Sequence, residues 1–217
     1  RILLPNGTVD NTGHRLFWDG FNVARDRGQT TVRSASLCGA FSGAAVLFTP
    51  AVLAQVGLFD EEFGAYGEDL DLSLRAVRLG FSIRHVPNAT ITHQLGATYG
   101  RTSPRKIFLV ERNRTRAAVR SMPVAALAML PATTAVRIAG MGVAALRGTG
   151  LGAGAGLSGA VAALAGMAAG TAYAPWAWSK RAADKPAWVA GERAMWRHLS
   201  DQRVAFQDWF GEPITGR

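Results

Sequence analysis

Cysteine is almost missing from this chain. Cys38 is the single one among 217 residues, which excludes an intramolecular disulfide and any zinc site built from several thiolates. Alone, it reads as a small buried apolar side chain. Lysine is nearly as scarce: only Lys106, Lys180 and Lys185 occur, so arginine supplies 21 (24 − 3) of the 24 basic residues. The 15 acids leave a net charge of +9. That excess suits an anionic partner, whether a phosphorylated substrate, a membrane lipid or a nucleic acid, and the guanidinium fork suits phosphate. No helix-turn-helix, zinc-finger or RNA-binding signature is present, which sets nucleic acid aside. The chain opens on Arg1 without a signal-peptide pattern, and is expected to start inside a longer product. Between residues 148 and 178 there is no Asp, Glu, Lys or Arg.

This last absence helps divide the chain into three zones. Residues 1–116 mix charges, aromatics and β-branched residues as a globular α/β domain does, 117–178 are rich in Ala and Gly, and 179–217 are charged and Trp-bearing again. In the first zone, Pro5-Asn6-Gly7-Thr8 predicts a turn, and the stretch through Gly28 predicts an irregular loop holding Asp10, Asp19 and Asp26 as isolated acids. Residues 43–49 form a short apolar run that predicts a buried strand. Thr49-Pro50 predicts the start of a short helix that Gly57 ends. A second helix is expected from Asp69, with Leu70, Leu74 and Val77 at helical spacing and Gly80 as its stop. Residues 81–86 and 89–93 read as two short strands about Pro87-Asn88. Ser103-Pro104 predicts the cap of a longer helix through Arg112-Asn113-Arg114. Alternating strands and helices give an α/β fold.

The sharpest chemical feature is Gly67-Glu68-Asp69-Leu70-Asp71, with Gly64 just before it. A carboxylate at a helix start can be merely a cap, because it accepts free backbone N–H bonds. Glycines that leave the backbone uncovered next to three acids point further, to a general base that reaches a bound hydroxyl. Asp69 or Glu68 fits that role. Asp69 and Asp71, two apart on a helix, point in different directions and make a poor chelating pair. His93 closes a strand-like run ahead of Gln94-Leu95-Gly96, a place for either a structural histidine or a supplementary metal ligand. Arg105, Lys106, Arg112, Arg114 and Arg116 share one helix. They read either as a solvated basic face or, with Arg101 and the first turn, as a phosphate contact.

In order along the chain, Phe41-Ser42-Gly43-Ala44-Ala45-Val46-Leu47-Phe48, Val56-Gly57-Leu58-Phe59-Asp60-Glu61-Glu62-Phe63, Gly67-Glu68-Asp69-Leu70-Asp71-Leu72, Gly80-Phe81, Val86-Pro87-Asn88-Ala89, His93 and Arg112-Asn113-Arg114 resemble the acceptor-side half of family 2 glycosyltransferases. Bacterial rhamnosyltransferase-type enzymes of cell-wall or surface polysaccharide synthesis are the most similar subgroup, and the match spans about residues 36–116. The resemblance implies a partial GT-A fold (the nucleotide-diphospho-sugar transferase fold), and the apolar zone after it is expected to add C-terminal, membrane-associated helices. It implies inverting transfer of a sugar from a nucleotide-sugar donor to a hydroxyl of a glycan or lipid-linked acceptor. Asp69 would be the base with Glu68 beside it. Ser42, Gly43 and Arg112 would meet substrate, and His93 would help to hold Mg²⁺ or Mn²⁺ or the diphosphate. Family members bind the nucleotide in an N-terminal half that ends in an Asp-x-Asp motif, for which the residues before 36 have no room. The expectation is therefore a fragment, or a chain whose other half comes from another polypeptide. The rival is a non-catalytic membrane-associated module derived from such an enzyme. A metal-dependent phosphoesterase would need a denser set of ligands.

The uncharged zone bears on location. Residues 157–178 contain Gly166-x-x-x-Gly170, end at Trp176 and Trp178, and are followed by Lys180, Arg181 and Lys185. A helix of about 20 apolar residues can cross a bilayer, but Ala and Gly add little insertion energy. Interfacial helices, a span or hairpin, and packed soluble helices all remain open. The interfacial reading places the chain at the cytoplasmic face of the plasma membrane, and residues 150–156 read as a flexible connection. Trp188, Met195, Leu199, Phe206 and Phe210 predict a terminal amphipathic helix that packs through its apolar stripe.

Overall fold

The computed structural model describes residues 1–31, 33–94, 103–146 and 156–204. Its strands are two or three residues long, in keeping with the turn residues that punctuate the first hundred positions. β1 (Ile2–Leu3) lies between β2 (Val9–Asn11), antiparallel to it, and β7 (Ile91–Thr92), parallel to it. β3 (His14–Leu16) pairs with β4 (Asn22–Ala24), and β5 (Ser36–Leu37) pairs with β6 (Arg84–His85), both antiparallel. The expected turn at Pro5-Asn6-Gly7-Thr8 closes the β1–β2 hairpin, and Asn6 Oδ1 accepts the Thr8 N–H at 3.1 Å.

Two expectations for this region are corrected. The stretch through Gly28 is not an irregular loop; β2, β3 and β4 lie in it, and they carry its acids inward. Asp10, Asp19 and Asp26 are buried, each beside arginine. Arg27 lies 2.9 Å from Asp10, Arg33 is 2.6 Å from Asp26, and Arg114 and Arg137 are 3.2 and 3.4 Å from Asp19. Conversely, residues 43–49 form no strand. Gly43-Ala44-Ala45 offers little side chain to bury, no neighbouring strand pairs with it, and Leu47 is 96% exposed. Phe41, Phe48 and Phe59 still pack edge to face, with centroids 5.4–6.4 Å apart.

The helices follow their sequence signals more closely. α1 (Pro50–Val56) begins on its proline and stops at Gly57, although the Thr49 side chain makes no capping bond. α2 (Glu68–Arg78) starts one residue before Asp69 and ends ahead of Gly80. Leu70, Leu74 and Val77 enter the main core, whereas Leu72 and Ala76 turn the other way onto Phe41 and Val56. α3 (Pro104–Ser121) is capped by Ser103, whose Oγ accepts the Lys106 N–H at 3.2 Å. α4 (Val124–Leu146), α5 (Gly156–Ala172), α6 (Ala174–Asp184) and α7 (Glu192–Asp201) complete the order. The compositional borders at 116/117 and 178/179 fall inside α3 and α6.

The basic residues of α3 do not all form a solvated face. Arg114 and Arg116 are 2% and 1% exposed: Arg114 turns toward Asp19 and Thr134, and Arg116 lies over the Tyr173 and Trp176 rings. Among the described residues, eight arginines (Arg25, Arg75, Arg78, Arg114, Arg116, Arg120, Arg137 and Arg181) are buried. Their guanidinium forks hold backbone carbonyls and carboxylates inside the protein and are not free to meet an anionic partner. Arg78 donates to Ser121 O at 2.7 Å and Ala190 O at 3.1 Å, and covers the Trp188 ring at 4.0 Å. Arg181 donates to Met122 O at 2.7 Å and lies 4.8 Å from the same ring. Trp188 thus packs against two buried arginines ahead of α7 and is not part of its helical stripe. Met195 and Leu199, by contrast, are fully buried from α7 into the main core beside Leu16, Ala40 and Phe63, each worth about 1.5–3 kcal/mol. Phe206 and Phe210 lie outside the described residues, as do 150–155.

Gly166 and Gly170 have a definite use. With Gly159 and Ala163 they form the buried edge of α5, which rests on the α3 backbone. A Cβ at Gly170 would lie 2.6 Å from Thr115 Cβ, and one at Gly166 would lie 2.9 Å from Glu111 Cβ. Gly170→Val should therefore lower stability by ~1–3 kcal/mol or more through overpacking, read as a lower urea midpoint. A midpoint equal to wild type would show that the seam is slack. Among the described residues no single helix is long and apolar enough to cross a membrane. α5 together with the stretch Ala174–Ala187 meets that test only as a pair bent by 53°.

Candidate active site

The acidic loop owes its shape to two successive left-handed residues, Tyr66 (φ 65°) and Gly67 (φ 85°). They swing the chain into α2 so that Glu68 and Asp69 occupy its first turn. Gly67 has no side chain to cap the helix, so a first-turn amide is met by Asp69 instead. Asp69 Oδ1 accepts its neighbour Leu70 N–H at 2.8 Å, and Oδ2 accepts the Gly43 N–H at 3.1 Å. Ser42 Oγ accepts the Ala44 N–H at 3.4 Å, which shapes the turn that presents Gly43. Ser42, Gly43, Glu68 and Asp69 are thus brought together.

The two adjacent acids differ. Glu68 Oε2 is buried without a hydrogen-bond partner among the described residues, and burial, then the neighbouring Asp69 charge, pushes its carboxyl pKa up. Asp69 is held instead by two backbone N–H groups, those of Gly43 and Leu70. Asp71 turns away entirely. It is fully buried, 2.8 Å from Arg75 Nε and 3.2 Å from Arg120 Nη1. Asp69 and Asp71 accordingly share no ion.

His14 was not singled out from the sequence, and nothing local could have marked it. β3 bridges to Ala40, with His14 N–H donating to Ala40 O at 2.8 Å, and Ala40 leads straight to Ser42 and Gly43. The ring is drained of positive charge chiefly by burial, against the pull of Asp69; Arg27 lowers its pKa further and Asp10 raises it. It therefore feels the acidic loop on one side and Asp10 on the other. Asp10 Oδ2 in turn meets His93 Nδ1 at 3.1 Å, and His93 is 38% exposed.

Residues 13–119, the span that carries these groups apart from Asp10 and Arg120, match the family described as Glycosyltransferase like family 2. This segment belongs to that family. No curated protein and no solved structure matches the chain. The family assignment covers the resemblance seen over 36–116 and extends it back to Gly13, so that His14 falls within it. A family 2 glycosyltransferase uses a nucleotide-sugar donor and an acceptor, and the mixed strand and helix architecture fits a partial GT-A fold with added helices.

Two assigned roles look different within the glycosyltransferase segment. Among the described residues no group of three or more His, Cys, Asp or Glu side chains is placed to hold a metal ion. His93 finds Asp10 as its partner, and that pair alone is short of a coordination shell for Mg²⁺ or Mn²⁺. The described residues by themselves therefore do not fit a resident cation. Arg112 has protein partners where substrate contact was expected. Its Nε donates to Asn113 Oδ1 at 2.9 Å and its Nη2 to Phe63 O at 3.0 Å, on the strand of chain that leads into the acidic loop. Lys106 Nζ lies 5.3 Å from the Tyr66 ring centroid in the same loop. Arg101, Leu95 and Gly96 are outside the described residues.

Proposed function

We propose that the glycosyltransferase segment transfers a sugar with inversion from a nucleotide-sugar donor to a hydroxyl of a glycan or lipid-linked acceptor in cell-wall or surface polysaccharide synthesis, with Asp69 as general base. The observation behind it is the Asp69 carboxylate, oriented by the Gly43 and Leu70 N–H groups. A carboxylate has about four acceptor sites, and those two bonds leave room for an acceptor hydroxyl. Asp69 takes the hydroxyl proton as the oxygen bonds to the anomeric carbon. The bond from that carbon to the diphosphate breaks on the opposite face, and the nucleoside diphosphate departs with the electron pair. Glu68 shares the acceptor side with Ser42 and Gly43. His93, steadied by Asp10, is assigned to the donor diphosphate. Arg112 acts through the loop it holds.

The experiment is nucleoside diphosphate release from a panel of nucleotide hexoses with lipid-linked acceptors, followed by NMR of the product anomer. Inversion is expected. Retention of configuration, or substrate binding with no transfer, would remove this reading, and the latter result would favour a non-catalytic module.

The same proposal places the chain at the cytoplasmic face of the plasma membrane. Val136, Val143 and Leu146 of α4 and Leu157, Val161 and Leu164 of α5 are exposed on helices whose one basic residue, Arg137, is buried. Trp178 and Lys180 follow on α6. Apolar faces of this kind favour the interface, and nearby cations favour anionic lipid. Flotation with anionic vesicles is expected, and Leu157→Lys with Val161→Lys should reduce it several-fold. Equal flotation of this variant and wild type would detach these helices from the role.

A further inference from the structure

We infer that Asn113 is the positioning residue of the acidic loop: its carboxamide holds residues 63–67 in the conformation that presents Glu68 and Asp69 opposite Gly43. The inference rests on the reading of Asp69 as base, and adds a residue that acts on it from α3.

The geometry is specific. Asn113 is fully buried, and its Nδ2 lies within hydrogen-bond distance of three carbonyls of the loop: Phe63 O at 2.8 Å, Ala65 O at 3.1 Å and Tyr66 O at 2.5 Å. Two amide hydrogens are shared among three carbonyls, a three-centre arrangement that the primary amide supplies here without bringing a charge into the core. The amide cannot be turned over, because its oxygen accepts the Arg112 Nε–H at 2.9 Å. Gly67 then closes the contact from the other side. A Cβ there would lie 2.8 Å from Asn113 Cβ, and the left-handed φ already disfavours any larger residue. Tyr66, a non-glycine residue in the left-handed region, keeps that conformation while its carbonyl is bound by Asn113. The next two residues are Glu68 and Asp69, after Gly67. Arg112 reinforces the clamp through Phe63 O. The clamp is backed by α5, where Gly170 lies against Arg112 O and Thr115.

Three variants test it: Asn113→Ala, Asn113→Asp and Gly67→Ala. The aspartate fills the same space and presents acceptors in place of donors, so it separates hydrogen bonding from packing. Amide exchange by mass spectrometry should quicken at least ~10-fold in residues 64–70, with peptides from α5 and α7 changed far less. The Glu68 carboxyl, followed by ¹³C NMR, should titrate closer to an ordinary glutamate. With nucleotide hexose and acceptor, kcat should fall at least ~10-fold while donor KM stays within about twofold. Unchanged loop exchange in Asn113→Ala, or an Asn113→Asp protein equal to wild type in exchange and kcat, would overturn the inference. If wild type transfers no sugar, the proposed reaction fails while exchange and titration still decide the clamp. If the Asn113 variants do not fold, Gly67→Ala gives the same decision from the opposite face of the contact.

Discussion

Asp69→Asn should lower kcat for sugar transfer by ~10²–10⁴-fold, the usual scale of a lost general base. The amide oxygen of asparagine can still accept one of the two N–H groups, that of Gly43 or of Leu70, so the loop should keep most of its shape and donor KM should move little. Initial rates of nucleoside diphosphate release, beside acceptor-free controls, provide the measurement. A variant within a few-fold of wild type would take the base role from Asp69. Glu68→Gln separates the neighbours through stability. Burial first, and Asp69 second, raise the Glu68 pKa. A raised carboxyl stabilises the fold most while protonated, and that contribution is lost as pH rises through its folded pKa. Replacing Glu68 with neutral glutamine should therefore raise stability at neutral pH relative to wild type, even as transfer weakens. In Asp69→Asn, removal of the adjacent charge should let Glu68 ionise at a lower pH than in wild type.

The largest loss of stability is expected away from the loop, at Glu111. Its oxygens are engaged by Arg137 at 2.6 and 2.8 Å and by Arg114 at 3.0 Å. Asp19 meets both arginines from the other side, and Thr134 Oγ1 accepts from Arg114 at 3.0 Å. This network ties the β3–β4 turn, α3 and α4 into one body. Burial opposes ionisation of Glu111, yet Arg114 and Arg137 outweigh it and hold the pKa at about 2. A depressed carboxylate stabilises the fold fully above its ordinary 4.5, and that contribution fades as pH falls toward 2. Glu111→Gln leaves two buried guanidinium groups poorly compensated and should cost ~3–5 kcal/mol at pH 7. Urea unfolding reads it, and the gap between variant and wild type should narrow below pH 4.5. A gap independent of pH would show that packing, not charge, sets the loss. Adding Arg137→Leu to the variant should recover part of the stability, because one uncompensated charge is then removed.

These two sites differ in how far they could be read from the chain. The Gly67-to-Asp71 loop was legible because its signals are adjacent: glycines, acids and a helix start all lie within a few residues. The Ser103 cap, the stops at Gly57 and Gly80, and the apolar positions of α2 were legible for the same reason, since capping and helical periodicity act over about four residues. The run 43–49 misled because apolar composition alone does not supply a neighbouring strand. Asp10, Asp19 and Asp26 misled because a lone acid in a loop gives no sign of a distant guanidinium.

By itself, the sequence determined the family, the order of its motifs and the local geometry that starts α2 at the acidic loop. Only the tertiary structure decided which groups surround it. His93 meets Asp10 across 83 positions, Asn113 reaches Phe63 across 50, and Arg137 finds Glu111 across 26. It also decided that eight arginines are internal clamps and that the Gly166–Gly170 edge is a helix seam. The physical reason is common to all of these. Local preferences act through covalent neighbours, whereas a buried charge or an orphaned carbonyl takes whatever partner the packed chain brings within about 3 Å.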